Sequence, residues 1–239
     1  MQQATTVPRS HFAALGSFLF HHREALFPFA YLSVWLPGPR VFHHPLMAIV
    51  IGLAIALIGQ LIRVATIGLD YVVRGTETLA TSGVYAHCRN PMYVGNLLIL
   101  GGVAVGSNSW TCVMVAGLLF ILVSVSIVAA EESLLRHKFG LAFDEYCRDV
   151  PRWMPRWTGF VAMFRSTPFR WRGALVEENG TLFRWVLGFS VLTLWHLYRL
   201  GQWAEQDELV QMVMAIVIAA IVVRLRVRNL KKARQLVAD

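Results

Sequence analysis

Thr111–Ala130, TCVMVAGLLFILVSVSIVAA, contains no charged residue, and the two positions that follow are Glu131 and Glu132. A helix needs roughly 20 apolar residues to cross a bilayer, so this stretch fits one crossing that ends in carboxylates. Just before it, Gly106-Ser107-Asn108-Ser109 is a tight polar turn, and residues 93–105 are apolar again. The two runs read as a helical hairpin that crosses and returns. The same criterion selects 46–69, interrupted only by Gln60 and Arg63, and 209–223, which is shorter but closely flanked by polar residues. Apolar runs at 25–37, short enough to be re-entrant, and at 182–200 complete a set of six expected spans. The expected fold is all-α: a multi-pass integral membrane helical bundle. It divides into N-terminal spans (1–69), a core built on the hairpin (70–156), and a C-terminal interfacial segment with two further spans (157–239).

Composition agrees. Only 15% of the 239 residues are charged and mean hydropathy is +0.53, whereas a soluble domain carries about 25% charged residues. The net charge of +8 flanks apolar spans, so anionic lipid headgroups are the expected partner and nucleic acid is not. Lys and Arg gather in 70–92, in 131–181 and in the tail RLRVRNLKKAR, while the loop before the last span is acidic (Glu205, Asp207, Glu208). By the positive-inside rule both termini face the cytoplasm, in the inner (plasma) membrane if the source is bacterial. Trp153, Trp157, Trp171 and Trp185 fall near that interface. No secretory signal peptide is visible. Cys88, Cys112 and Cys147 are widely spaced and odd in number, and are expected to be reduced thiols. No metal site is expected: His21-His22 and His43-His44 are adjacent pairs without a carboxylate cluster, and His196 reads as a satisfied interior histidine. Arg63, near the end of its span, is expected to snorkel to the headgroups.

Two polar stretches bracket the hairpin, Glu77–Asn96 (ETLATSGVYAHCRNPMYVGN) and Glu131–Pro155 (EESLLRHKFGLAFDEYCRDVPRWMP). A hairpin returns both to one face, so a shared site is geometrically simple. Asn90-Pro91 breaks the chain and puts proline at the start of the next helix, where backbone donors favour an anionic or polar group. Tyr85 and Tyr93 offer aromatic faces with hydroxyl tips, and Arg89 a planar guanidinium. Glu131 and Glu132 are costly beside a membrane unless solvated or paired. The plain alternatives are a loop with interface tyrosines and a positive-inside arginine, a helix ending in water, and Val150-Pro151-Arg152 as an interface anchor. FGLAFDEYCRDV suits a short amphipathic helix lying against the membrane.

In order, Ser-Gly-x-Tyr, Arg-Asn-Pro-x-Tyr-x-Gly, Glu-Glu, Phe-Gly, Tyr and Val-Pro-Arg resemble the isoprenylcysteine carboxyl methyltransferase family, itself related to membrane phospholipid methyltransferases. The resemblance covers roughly residues 70–155 and implies a membrane enzyme using S-adenosyl-L-methionine on a lipidic acceptor. By position it implies cofactor binding by Glu77, Thr78, Leu79, Ala80, Tyr85, Asn90, Pro91, Met92, Tyr93 and Glu131. Arg89, Glu132 and Arg152 are the candidate catalytic residues. Four residues before the cofactor glutamate, where the prenylcysteine enzymes carry an arginine tied to the substrate carboxylate, this sequence has Ile127, which leaves the acceptor open. Two other classes fit a polar membrane hairpin: an NADPH-dependent sterol or polyprenyl reductase, and a non-enzymatic lipid-binding or transport protein.

Overall fold

The computed structural model describes residues 38–70, 78–156, 158–159, 169–203 and 205–236. Their helices are α1 (Pro45–Asp70), α2 (Pro91–Gly106), α3 (Trp110–Phe139), α4 (Leu141–Asp149), α5 (Trp171–Arg199) and α6 (Asp207–Leu236), with a 3-10 turn at Gly83–Ala86 before α2. Among the described residues there is no strand, and the all-α expectation holds. Among the described residues three helices are long and apolar enough to cross a membrane: α1, α3 and α6. That is fewer than the six spans expected. The 25–37 span lies outside the described residues. α2 has 16 residues, about 24 Å at 1.5 Å per residue, short of a hydrocarbon core of about 30 Å. α5 has 29 residues, and its first half carries Arg172, Glu177, Glu178 and Arg184.

Local sequence sets the boundaries. Pro91 opens α2 at a position where its missing N–H costs nothing. Asn108 takes φ 55° in the turn between α2 and α3, a conformation asparagine tolerates, and its amide exchanges two bonds with the Phe42 backbone at 2.8 and 3.0 Å. Ser109 caps α3 by accepting from Cys112 N at 3.3 Å. α3 does not stop at Ala130: it runs through Glu131 and Glu132 to Phe139, and ends where Gly140 adopts φ 54°. Arg136, His137 and Lys138 in its last turn complement the helix dipole.

α1 and α2 pack antiparallel along a seam of glycines. A Cβ on Gly52 would lie 2.4 Å from the Gly102 carbonyl oxygen, and one on Gly59 would lie 2.6 Å from that of Gly95. Small residues are what let backbones approach this closely when lipid supplies no hydrophobic drive between helices. Ile49, Ala56, Ile99 and Val103 fill the seam with Trp185, Phe189 and Leu192 from α5. Trp185 is therefore a core residue, 7% exposed, and not an interface anchor. Its ring meets Phe189 edge-on at 6.1 Å and its Nε1 donates to Gln60 at 2.9 Å. His196 is satisfied as expected, within 3.0 Å of the Gly106 carbonyl. The outward faces of α3 and α6 are apolar and exposed, as at Met114, Leu118, Ile121, Met212, Ile216 and Val223, and suit contact with lipid tails.

Arg63 departs most from expectation. It does not snorkel: it is 9% exposed, and its Nε and Nη2 each donate to Glu178 on α5 at 2.7 Å. Nη1 donates to Asn96 on α2 at 2.6 Å, and Nη2 also reaches Thr181 at 3.4 Å. Gln60 Nε2 donates to Glu178 at 3.1 Å. Inside an apolar bundle a paired fork of this kind is the way two full charges avoid an uncompensated desolvation cost.

Candidate active site

At the end of the bundle where α1 and α3 finish and α2 and α5 begin, the two polar stretches meet as the hairpin requires. Their backbones are laced together. Arg89 N donates to Pro151 O at 3.0 Å and Arg156 N to His87 O at 2.9 Å. Asn90 does not cap α2; its Nδ2 donates instead to Arg152 O at 3.2 Å. His87 Nδ1 lies 2.9 Å from Arg156 O. Cys88 is buried between the stretches, with its thiol donating to Trp153 O at 3.4 Å. Burial pushes that thiol up from its ordinary value, against the lowering effects of a bond at Asn90 and of the Arg89 charge, so it stays protonated and structural. All three cysteines are free.

Between the stretches lies a cavity of about 320 Å³, within the range of small-molecule sites, roughly 300–1,000 Å³. The first stretch contributes Thr78, Leu79, Ala80, Tyr85, Arg89 and Asn90. The second contributes Glu131, Glu132, Leu135, Lys138, Phe139, Phe143 and Tyr146. Eight of the expected site residues thus line one cavity. Tyr93 joins them indirectly: its hydroxyl donates to Glu131 Oε2 at 3.0 Å. Arg152 stands behind the wall and reaches the site through Glu132. Pro91 and Met92 are outside the lining; Pro91 begins α2, and Met92 packs on the cluster of Val64, Ile67 and Ala174. Glu77 lies outside the described residues. Leu135, Lys138, Phe139, Phe143 and Tyr146 were not expected. The signal for the first three was available: from Glu131, positions 135, 138 and 139 repeat on one helical face.

Glu132 is the electrostatic centre. It is 5% exposed and carries two arginines. Arg152 forks onto it through Nε at 3.0 Å and through Nη2, and Arg89 Nη1 stands 3.2 Å from Oε1. The bond to Glu132 raises the Arg152 pKa above its ordinary value. Two guanidinium groups against one carboxylate leave a net positive charge. Arg89 Nη1 also donates to the Cys147 sulfur at 2.8 Å, yet Arg89 Nε is buried without a partner among the described residues. A buried donor left unpaired is costly, and here it belongs to a side chain that lines a cavity. Phe143 and Tyr146 on α4 close the floor, and the Tyr146 hydroxyl donates to the Tyr85 carbonyl at 2.7 Å. Burial pushes that hydroxyl well above its ordinary value.

S-adenosyl-L-methionine, the donor that the motif resemblance implies, carries a carboxylate, an ammonium, ribose hydroxyls, an adenine and a sulfonium. The donor set suits it. Arg89, with its spare Nε, and Lys138 answer a carboxylate. Glu131 would accept from its hydroxyl or ammonium groups. Leu79, Leu135, Phe139 and Phe143 offer an apolar wall to an aromatic base.

Comparison with known proteins agrees. The phospholipid methyltransferase family matches residues 40–142. The chain is 30% identical over 197 residues to the cobalt-zinc-cadmium resistance protein CzcN of Cupriavidus metallidurans, covering 75% of this chain and 83% of that one. It is 28% identical over 185 residues to the nickel-cobalt-cadmium resistance protein NccN of Alcaligenes xylosoxydans xylosoxydans, covering 74% and 84%. It is 31% identical over 170 residues to human protein-S-isoprenylcysteine O-methyltransferase, covering 63% and 58%. No solved structure matches. With the motif residues gathered round one cavity in a helical membrane bundle, the chain belongs to the isoprenylcysteine carboxyl methyltransferase-like family of membrane methyltransferases.

Proposed function

We propose that the protein transfers a methyl group from S-adenosyl-L-methionine to a lipidic or membrane-soluble acceptor at the cytoplasmic face of the membrane. The observation that carries this reading is the cavity itself: a half-buried, cationic Arg89 whose buried Nε is an unused donor on one wall, and the Tyr93–Glu131 pair on another. The bound donor would supply an activated methyl on a positively charged sulfur. The chain's residues bind and orient. Arg89 and Lys138 hold the carboxylate end, Glu131 takes hydroxyl or ammonium hydrogens, and the aromatic wall shields the site from water. Glu132 and Arg152 act through Arg89 by fixing its position. Because displacement at carbon needs little more than alignment, much of the rate gain comes from holding donor and acceptor in line.

The cytoplasmic assignment rests on charge. The cavity end carries Arg136, Lys138, Arg148, Arg156, Arg170, Arg172, Arg226, Arg228, Lys231 and Lys232, whereas the other end has Arg40 and Arg199 with acidic Glu205, Asp207 and Glu208. That bias is the positive-inside pattern, and the same basic collar suits anionic headgroups. At the position of Ile127 the chain offers a buried apolar side chain, 6% exposed, and no cation for a prenylcysteine carboxylate, so the acceptor is left open. Calorimetric titration of the detergent-purified protein with S-adenosylhomocysteine, with NADPH as control, tests the reading. Saturable binding of the first alone is expected; binding of NADPH alone would move the chain to the reductases.

A further inference from the structure

The family match ends at residue 142, yet α5 and α6 lie beyond it. We infer that Glu178 of α5, acting through Arg63 and Asn96, positions the cofactor-side wall of the cavity, so that the C-terminal helical pair is a working part of the enzyme. The inference rests on the methyltransferase reading of the cavity.

Two independent attachments carry it. The first is the ion pair. Arg63 is gripped by Glu178, and its remaining strong bond goes to Asn96 on α2 at 2.6 Å. Asn96 sits one turn beyond Tyr93, the residue that holds Glu131. The Arg63 stem also presses on Gly95, where a Cβ would lie 2.5 Å from its Cγ. The rotation and height of the first turns of α2, which present Asn90 and Tyr93, are thereby set from α5. The second attachment lies where the chain enters α5. Arg170 N donates to Gly68 O at 3.1 Å, and the Phe169 ring packs against Leu69 and Val84. Val84 adjoins Tyr85 in the 3-10 turn that lines the cavity. Both pieces of the first polar stretch are thus braced from α5 and the two residues that lead into it. The pair shows no ligand role of its own: every strong donor of Arg63 is answered within the bundle.

The experiment uses the full chain in detergent, with Glu178→Gln, Asn96→Ala and Asn96→Asp. S-adenosylhomocysteine affinity is read by calorimetry, and hydrogen exchange is read separately over 84–96 and 110–126. Asn96→Ala keeps the ion pair but cuts its link to α2. We expect affinity to fall roughly tenfold or more, the scale on which small misplacements of a site act, with faster exchange confined to 84–96. Asn96→Asp keeps an acceptor for Arg63 and recovers most of the loss. Glu178→Gln exceeds Asn96→Ala in both readouts; if it does not accumulate as folded protein, the Asn96 variants decide. Unchanged exchange over 84–96 in Asn96→Ala overturns the inference, as does unchanged affinity. Absence of binding by the unaltered chain strikes the methyltransferase reading instead, and the exchange readout then still tests the bracing.

Discussion

Among the described residues two buried carboxylates are held by arginine, Glu178 and Glu132, and the two sites are built to opposite rules. At Glu178, one carboxylate meets one guanidinium in a fork with both contacts at 2.7 Å, and Gln60, Asn96 and Thr181 take up the remaining capacity. At Glu132, one carboxylate is shared by two guanidinium groups, the Arg89 contact is the longer at 3.2 Å, and Arg89 Nε has no partner among the described residues. The first site is saturated and lies in the helix core; the second is cationic, unsaturated and opens onto a cavity. A closed network serves specificity of packing, whereas an incomplete one is kept for something that completes it.

The largest effect should come from breaking the closed site. Arg63→Gln or Glu178→Gln leaves its partner as a buried, unpaired charge, a loss of about 3–5 kcal/mol. Replacing both together with apolar residues of similar volume should recover most of that. Thermal unfolding in detergent of the two single variants and the double variant checks this. A single variant as stable as the unaltered chain would mean that the pair is solvated.

This pair was also the least legible feature of the sequence. Arg63 and Glu178 are 115 positions apart, so each had to be read against its own neighbours. Beside apolar residues near a helix end, Arg63 reads locally as a side chain that snorkels to headgroups. Glu178 precedes the apolar run at 182–200, which alone predicts a helix starting at 182; the pairing lets the helix run unbroken from Trp171. The hairpin was legible because its signal is local: an apolar run, Gly106-Ser107-Asn108-Ser109, and another apolar run. Most of the cavity was legible for the same reason, through short motifs on either side of that turn. Leu135, Lys138 and Phe139 lie beyond the apolar run, and only the helical repeat counted from Glu131 points to them.

The open site should respond more mildly in stability and more sharply in binding. Glu132→Gln frees two arginines, but Arg152 is 39% exposed at its side chain and turns to water, which limits the stability loss to about 1–3 kcal/mol. S-adenosylhomocysteine affinity should fall because Arg89 loses its anchor. Glu131→Gln should also lower affinity, by roughly tenfold, about 1.4 kcal/mol, with the melting temperature unchanged because Glu131 is exposed. Calorimetry and melting on the same two variants separate positioning from contact. Equal melting temperatures would place Glu132 among exposed, weakly coupled groups and erase the contrast between the sites.

The smallest effect is the most selective for the cavity floor. Tyr146 is buried, and burial, the largest cause, raises its hydroxyl above the ordinary 10.0. The folded state therefore keeps a proton that the unfolded chain releases, and stability falls with pH wherever the folded state binds more protons. Tyr146's contribution is complete below pH 10.0 and is lost as pH rises from there towards its raised folded value. Tyr146→Phe removes the bond to the Tyr85 carbonyl, costing about 1 kcal/mol at neutral pH, and it also removes this alkaline dependence. Melting curves from pH 8 to about pH 11 should thus start lower for Tyr146→Phe and draw closer to those of the unaltered chain at the alkaline end. Parallel curves would mean that water reaches the hydroxyl, and that α4 does not seal the floor beneath Tyr85.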